Sequence, residues 1–520
     1  MPLGKTILIT IILLISSFSG CTLLQPTKFT LLSLTIDDDS GFPRLYLQFN
    51  TSDTSTLMLT DSQKNLLFSD TYYYGIHNES IYLSGYRTTV VPGTYTLKAI
   101  DSSEHMIFEN DLHFNGYNLS LISVDEDWWN NNTDSSIVAF HLSVKNSGDL
   151  PVYPFDLSVS QGNNTVDAYL IPAVILPSHT SQLTCFIPLD NISSETNQLN
   201  ISLHDNIGTV LFKKTLTLVL KDPIESWRYQ WLHLGSQTLK VPEVDWLYDY
   251  YKSLKRFNII DYSVYVFDRY DDYYIEFLTH QLLSLKNLRT NGEKINFIAS
   301  FVQGIEYKKD DPENETYEYP RYPLETLKEK RGDCEDKAIL TAALLDSLGY
   351  NVSLIRLPQH MAVGVNLNET IPGYSYYIDQ YYFLESTTLF TPLGKIPSEY
   401  QGLTNITVYP ISSRPLVVHS WKNATRFTMS TGVDYVSVTM IIENLGKTTT
   451  SDIEIRGAFY DNASQIYNQK TMYIPSIAID EKRLVELSID VPSLVSVTLK
   501  TQLYLNEMMI DQRESISLFI

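Results

Sequence analysis

The sequence predicts a multidomain protein in which a central α+β domain is flanked by all-β sandwiches. Three observations carry this expectation. At 520 residues the chain is too long for a single core, given about 150 residues per domain. Both flanks alternate apolar and polar residues with period two, the mark of half-buried strands. Between them, stretches with apolar residues at helical spacing are followed by strand-like runs. The expected boundaries are 22–116 and 117–221 for two sandwiches, 222–410 for the α+β domain and 411–520 for a last sandwich.

Residues 1–21 read as an export signal. Lys5 precedes the apolar run Ile7 to Phe18, then come Ser19, Gly20 and Cys21. That run is shorter than the roughly 20 residues a membrane span needs. Phe18-Ser19-Gly20-Cys21 resembles a prokaryotic lipobox, with Phe18 where a branched aliphatic is usual. The resemblance implies lipidation at Cys21, a membrane contact through the lipid anchor, and a body on the extracellular face. Recurrent Asn-x-Ser/Thr triplets, such as those at Asn50, Asn118 and Asn423, accord with export.

In the first sandwich, Leu45–Phe49 and Gly93–Ala99 alternate, with Pro92-Gly93 as a turn. In the second, Ile137–Lys145 alternates and then turns at Asn146-Ser147-Gly148. The last repeats this with Val436–Glu443 and Asn444-Leu445-Gly446, and Gln182–Ile187 corresponds to Leu484–Ile489. These two regions read as copies of one module and resemble the adhesion-type Ig-like modules of cell-surface proteins.

A formal charge of −22 excludes a nucleic-acid partner, because binding phosphates needs a basic patch. Three cysteines so far apart (Cys21, Cys185 and Cys334) form neither a disulfide framework nor a four-ligand zinc site, and no metal or cofactor is expected. Cys185, on an apolar strand, reads as a core residue. The acidic run Asp310-Asp311-Pro312-Glu313 lacks calcium-loop spacing and reads as a solvated loop.

The centre begins with helical patterns over Glu243–Phe257, Asp271–Leu288 and Glu293–Tyr307. A fourth helix is framed by Asp333 as N-cap and Gly349 at its end. Cys334 falls in its first turn, where unpaired N–H groups and the helix dipole favour a thiolate. Two strands follow, Asn351–Leu357 and Met361–Val365, with His360 between them, and then the aromatic run from Tyr376 to Thr388 containing Glu385. Cysteine on a helix, histidine on a strand and a carboxylate on the next is the order of a cysteine–histidine–acid triad.

Gly332-Asp333-Cys334 with its helix, His360 and Glu385 resembles the transglutaminase-like core, a papain-like α+β fold, over about 257–388. Phe301 to Tyr307 and Tyr322 to Leu327 extend the resemblance, above all to archaeal members carried on secreted proteins. It implies Cys334, His360 and Glu385 as the catalytic set and a protein or peptide amide as substrate. Gln303 is a candidate oxyanion donor and Asp379 the runner-up acid. Two departures stand out: Leu384-Glu385-Ser386-Thr387 replaces an aspartate in a Leu-Asp-Pro-Thr-like context, and Met361 stands where an aromatic often follows the histidine. The second favours hydrolysis over amine transfer. The rival expectation is a non-catalytic surface-binding protein that keeps the core as a scaffold.

Overall fold

A computed structural model describes residues 28–516, apart from 132–133, 163, 190–197, 220, 258, 260, 311–317, 412–413 and 429–432. Cys21 and the export signal lie outside the described residues. Among those described, no helix is long and apolar enough to cross a membrane.

Period-two alternation becomes strands on both flanks. In the first sandwich, Phe42–Thr51 lies between Phe29–Asp39 and Gly75–Tyr82. The facing sheet runs in the order Leu66–Tyr72, Ser55–Thr60, Gly93–Asp101, Met106–Phe114. Leu45, Leu47, Phe49, Leu57, Leu59, Leu97 and Ala99 fill the space between, each fully buried.

The second and last sandwiches share one strand order. Each has seven strands among the described residues, and in each the fifth, second and first form one sheet. These are Thr180–Leu189, Asp134–Asn146 and Leu119–Asn131 in one copy, and Lys482–Asp490, Asp434–Asn444 and Val417–Thr428 in the other. The fourth, third, sixth and seventh form the other sheet in both copies.

The shared turn has a shared mechanism. Asn146 is fully buried; its carbonyl oxygen accepts from the Asn118 and Gly148 amides, and its Nδ2 donates to Leu150 O at 2.8 Å. Asn444 repeats this with the Leu416 and Gly446 amides and with Thr448 O at 2.8 Å. Both glycines are required by space. A Cβ on Gly148 would lie 2.1 Å from the Gly116 carbonyl oxygen, and one on Gly446 2.3 Å from the Leu416 nitrogen. Cys185 is buried in the fifth strand, where burial pushes its thiol up to about 12.

The central domain is α+β. Helices α1 (Asp245–Ser253), α2 (Asp272–Ser284), α3 (Asn291–Gln303) and α4 (Pro323–Glu329) precede α5 (Cys334–Asp346). Ile295, Ile298, Ala299 and Val302 of α3 are buried, as their helical spacing predicts. Helix α5 is buried on every side from Glu335 to Leu345. It ends at Asp346 with Ser347 as cap, while Gly349 takes its positive φ of 77° farther on. An antiparallel sheet lies beside it in the order Tyr377–Ile378, Tyr381–Leu384, His360–Asn366, Asn351–Leu357, Thr407–Pro410. This domain and the last sandwich belong to one compact unit.

Candidate active site

Cys334 is the first residue of α5, directly after its N-cap Asp333. The Asp333 amide donates to the Asp336 carboxylate at 3.2 Å, which closes the helix start from outside. Asp336 folds back so closely that a Cβ on Gly332 would lie 2.7 Å from its own Cβ, so only glycine fits before the Asp-Cys pair. Asp336 in turn accepts from the Arg321 amide at 2.8 Å and the Arg321 guanidinium at 2.7 Å. The same guanidinium reaches Asp310 at 2.8 Å and Glu329 at 3.2 Å. Asp310 is therefore drawn inward to a buried arginine, and the expectation of a solvated loop fails at that residue. Its neighbours Asp311 to Glu313 lie outside the described residues.

His360 is placed by a two-residue hairpin. Leu357 pairs with His360 across Pro358-Gln359, and Gln359 takes a left-handed φ of 59°. His360 is thus the first residue of its strand, and the next amide, that of Met361, donates to the Cys334 sulfur. The His360 Nε2 lies 3.0 Å from Glu385 Oε2. Glu385 is fully buried just beyond Tyr381–Leu384, and its Oε1 accepts from the Thr387 amide at 2.7 Å and the Thr387 hydroxyl at 2.6 Å. Burial pushes the Glu385 carboxyl up, but His360 and Thr387 outweigh it and hold the group below its ordinary range.

The thiol behaves differently from the expectation drawn from the helix dipole. Its Sγ lies 3.1 Å from Glu335 Oε2, and burial, then Glu335, then Asp333 raise it above the ordinary thiol range. Burial, together with the carboxyl groups beside it, outweighs the positive end of the helix. Glu335 is itself pushed up to about 10 by burial and by the charges of Asp333 and Asp336. The resting pair is consequently a neutral thiol beside a neutral acid.

Gln303 does not stand ready as an oxyanion donor. Its Nε2 donates to Glu385 O and Thr391 O, both at 2.9 Å, which engages both amide hydrogens. It ties the backbone of the acid to α3 instead. Lys337, fully buried one turn below Cys334, donates to Ile305 O at 2.8 Å and closes the end of α3; burial lowers its ammonium to about 8. Asp379 sits with Gln380 in an exposed turn between Tyr377–Ile378 and Tyr381–Leu384, both at positive φ (44° and 63°). That is a hairpin tip rather than the position of an acid beside His360.

Sequence reasoning missed Tyr400, whose ring stacks on His360 with centroids 4.5 Å apart and planes 5° from parallel. It ends the 3-10 turn Ser398–Tyr400 in a loop without periodicity, so no pattern announced it. Tyr307 also lies near the thiol, being brought there by parallel pairing with Gly332. Aromatic walls are therefore present, though Met361 follows the histidine. As for metals, ligand atoms of Asp310, Glu318 and Glu335, and of Asp310, Asp333 and Asp336, lie within 4.8 Å of one another. Arg321 already supplies a cation to the second group.

No curated protein matches this chain. Among solved structures, similarity extends to a candidate cysteine protease from Cytophaga hutchinsonii, with 11% identity, a TM-score of 0.19, and coverage of 74% of this chain and 92% of that one. A candidate protease from Parabacteroides distasonis shows 10% identity and a TM-score of 0.20, covering 70% and 94%. A candidate β-galactosidase from Bacteroides fragilis shows 11% identity and a TM-score of 0.17; 33% of this chain spans 30% of its length. Similarity this low carries no argument. The family comparison is specific: the family described as "Transglutaminase-like domain" matches residues 258–409, the span that holds α2 to α5, Cys334, His360 and Glu385. Residues 258–409 of this chain are a transglutaminase-like domain.

Proposed function

We propose that Cys334 carries out acyl transfer on a protein or peptide amide, with His360 as base and Glu385 as the acid that orients it. The observation that carries the reading is the buried His360–Glu385 contact at 3.0 Å, with the second carboxylate oxygen held by Thr387. Glu385 engaging Nε2–H leaves Nδ1 as the basic nitrogen. Because the resting thiol is neutral, His360 takes its proton as sulfur attacks the amide carbon. The C–N bond then breaks, the same proton leaves with ammonia or an amine, and a thioester remains. Water or a second amine attacks the thioester and restores the thiol. Hydrolysis and amine transfer differ only in that last acceptor.

The second reading is a scaffold that binds without turnover, and one observation favours it: the thiol is largely buried with its Sγ 3.1 Å from Glu335 Oε2, surroundings that favour its protonated form. In either case we place the protein at the outer face of the membrane, anchored through Cys21. Purified protein incubated with casein, with and without a fluorescent primary amine, separates the readings by mass spectrometry. Acyl transfer predicts deamidated, cleaved or amine-labelled peptides that vanish in Cys334→Ala. Unchanged substrate under all conditions sinks the enzyme reading.

A further inference from the structure

Tyr400 covers one face of the His360 imidazole, and it is held there firmly. Ile355 pairs with Ala362 and Leu357 with His360, so these four side chains share one face of the central sheet. Ile355, Leu357, Ala362, Phe383 and Ile396 form a buried apolar cluster, and half-buried Tyr400 packs against it. The route to the ring is short. Ile396 is anchored in the cluster, Pro397 has its φ fixed at −58°, and the Tyr400 amide donates back to Pro397 O at 3.1 Å. An aliphatic side chain on this loop would cover the cluster equally well. The tyrosine does something more specific.

Its ring lies flat on the imidazole, with centroids 4.5 Å apart and planes 5° from parallel. His360 is thus held from two directions, because Glu385 Oε2 takes Nε2 from the ring's edge at 3.0 Å. A hydrogen bond at one nitrogen leaves the ring free to tilt about that bond. A flat partner on its face removes the tilt and so fixes where Nδ1 points. The contact also responds to charge. The face of a phenol ring is electron-rich and attracts a cation placed over it. Burial, then the Glu385 charge, raise the Tyr400 phenol above its ordinary range, so the ring stays un-ionised near neutral pH. Imidazole becomes a cation only on taking the thiol proton. The stack is therefore stronger after proton transfer than before it, which is the condition for lowering a barrier.

We infer that Tyr400 is a positioning residue of acyl transfer: its ring fixes the tilt of His360 and stabilises the imidazolium formed when Cys334 gives up its proton. This rests on the reading of Cys334 as nucleophile and His360 as its base.

Iodoacetamide tests it on the full-length protein without any substrate. At pH 7 the sulfur bonds to the methylene carbon, iodide leaves and the thiol proton passes to His360. The labelling rate at Cys334, followed by peptide mass mapping, therefore reports the base. Tyr400→Leu keeps the apolar packing and removes the ring, and should slow labelling about three- to thirtyfold. Tyr400→Phe keeps the ring and should stay within about twofold of wild type. In a His360→Ala background, Tyr400→Leu should add less than about twofold, since a residue acting through the imidazole then has nothing to act on. Loosened packing around the thiol would instead slow both backgrounds alike. Should Tyr400→Leu fail to fold by circular dichroism, Tyr400→Met takes its place. Unchanged labelling in Tyr400→Leu, equal slowing in both backgrounds, or equal losses in Tyr400→Phe and Tyr400→Leu would each overturn the inference and leave His360 as base. Labelling indifferent to His360→Ala would overturn it together with the base reading.

Discussion

Glu385 accepts from three donors at once, from His360 on one oxygen and twice from Thr387 on the other. An acid fixed on both oxygens can orient an imidazole, and the exposed turn at Asp379 offers nothing comparable. Glu385→Ala should lower kcat by roughly 10²–10⁴-fold with the fold intact by circular dichroism, whereas Asp379→Asn should leave it within about twofold of wild type. Equal losses in the two would refute the assignment. Glu335 is the other decisive side chain, since it works against the dipole at Cys334. Alkylation by iodoacetamide reports the thiolate, so its pH midpoint in wild type should lie above the roughly 8.5 of a free thiol. Glu335→Gln should move that midpoint down by about one unit or more. The direction follows because two of the lesser causes raising the thiol, the Glu335 charge and its hydrogen bond, disappear while burial and the Asp333 charge remain. A midpoint unmoved by the substitution would show that Glu335 does not govern the thiol.

Among elements, α5 was legible because its signals are local: Asp333 caps it, Asp336 closes the cap three residues on, and an apolar run fills it. The paired sandwiches were legible through a single turn, Asn-x-Gly, whose buried asparagine joins backbone groups from three segments. What stayed hidden is what reaches across the chain. Gln303 meets Glu385 and Thr391 more than 80 residues away, and no periodicity encodes that contact. Read locally, its amide could have faced the site; tertiary structure turned it to the backbone. Arg321 was hidden likewise, since a lone arginine in a loop gives no sign that Asp310, Glu329 and Asp336 will close around it. The twin asparagines allow a paired test. Asn146→Ala and Asn444→Ala each strand buried backbone groups, and each should cost about 1–3 kcal/mol per unsatisfied group. Urea unfolding followed by hydrogen exchange in each sandwich would check this, and a loss confined to one copy would show that their turns are not equivalent.

At the scale of the whole molecule, a formal charge of −22 is carried largely outside, but some of the acid is folded in, and that sets how stability responds to pH. Glu335 is the clearest case: 6% exposed, with its carboxyl pushed from 4.5 to about 10 by burial, then by Asp333 and Asp336. In the unfolded chain this group loses its proton near its ordinary value. Between those two pH values the folded protein therefore binds more protons than the unfolded one. Stability from Glu335 is complete below about pH 4.5 and is lost progressively as pH rises toward 10. Replacing it with glutamine keeps the shape and removes the titration. Thermal unfolding of wild type and Glu335→Gln at pH 5, 7 and 9 isolates this group, because every other acid titrates in both proteins. The variant's Tm should exceed that of wild type by an amount that grows from pH 5 to pH 9. A constant difference, or one that shrinks with pH, would mean that Glu335 is ionised in the folded state, and that the thiol beside it faces a full negative charge rather than a neutral acid.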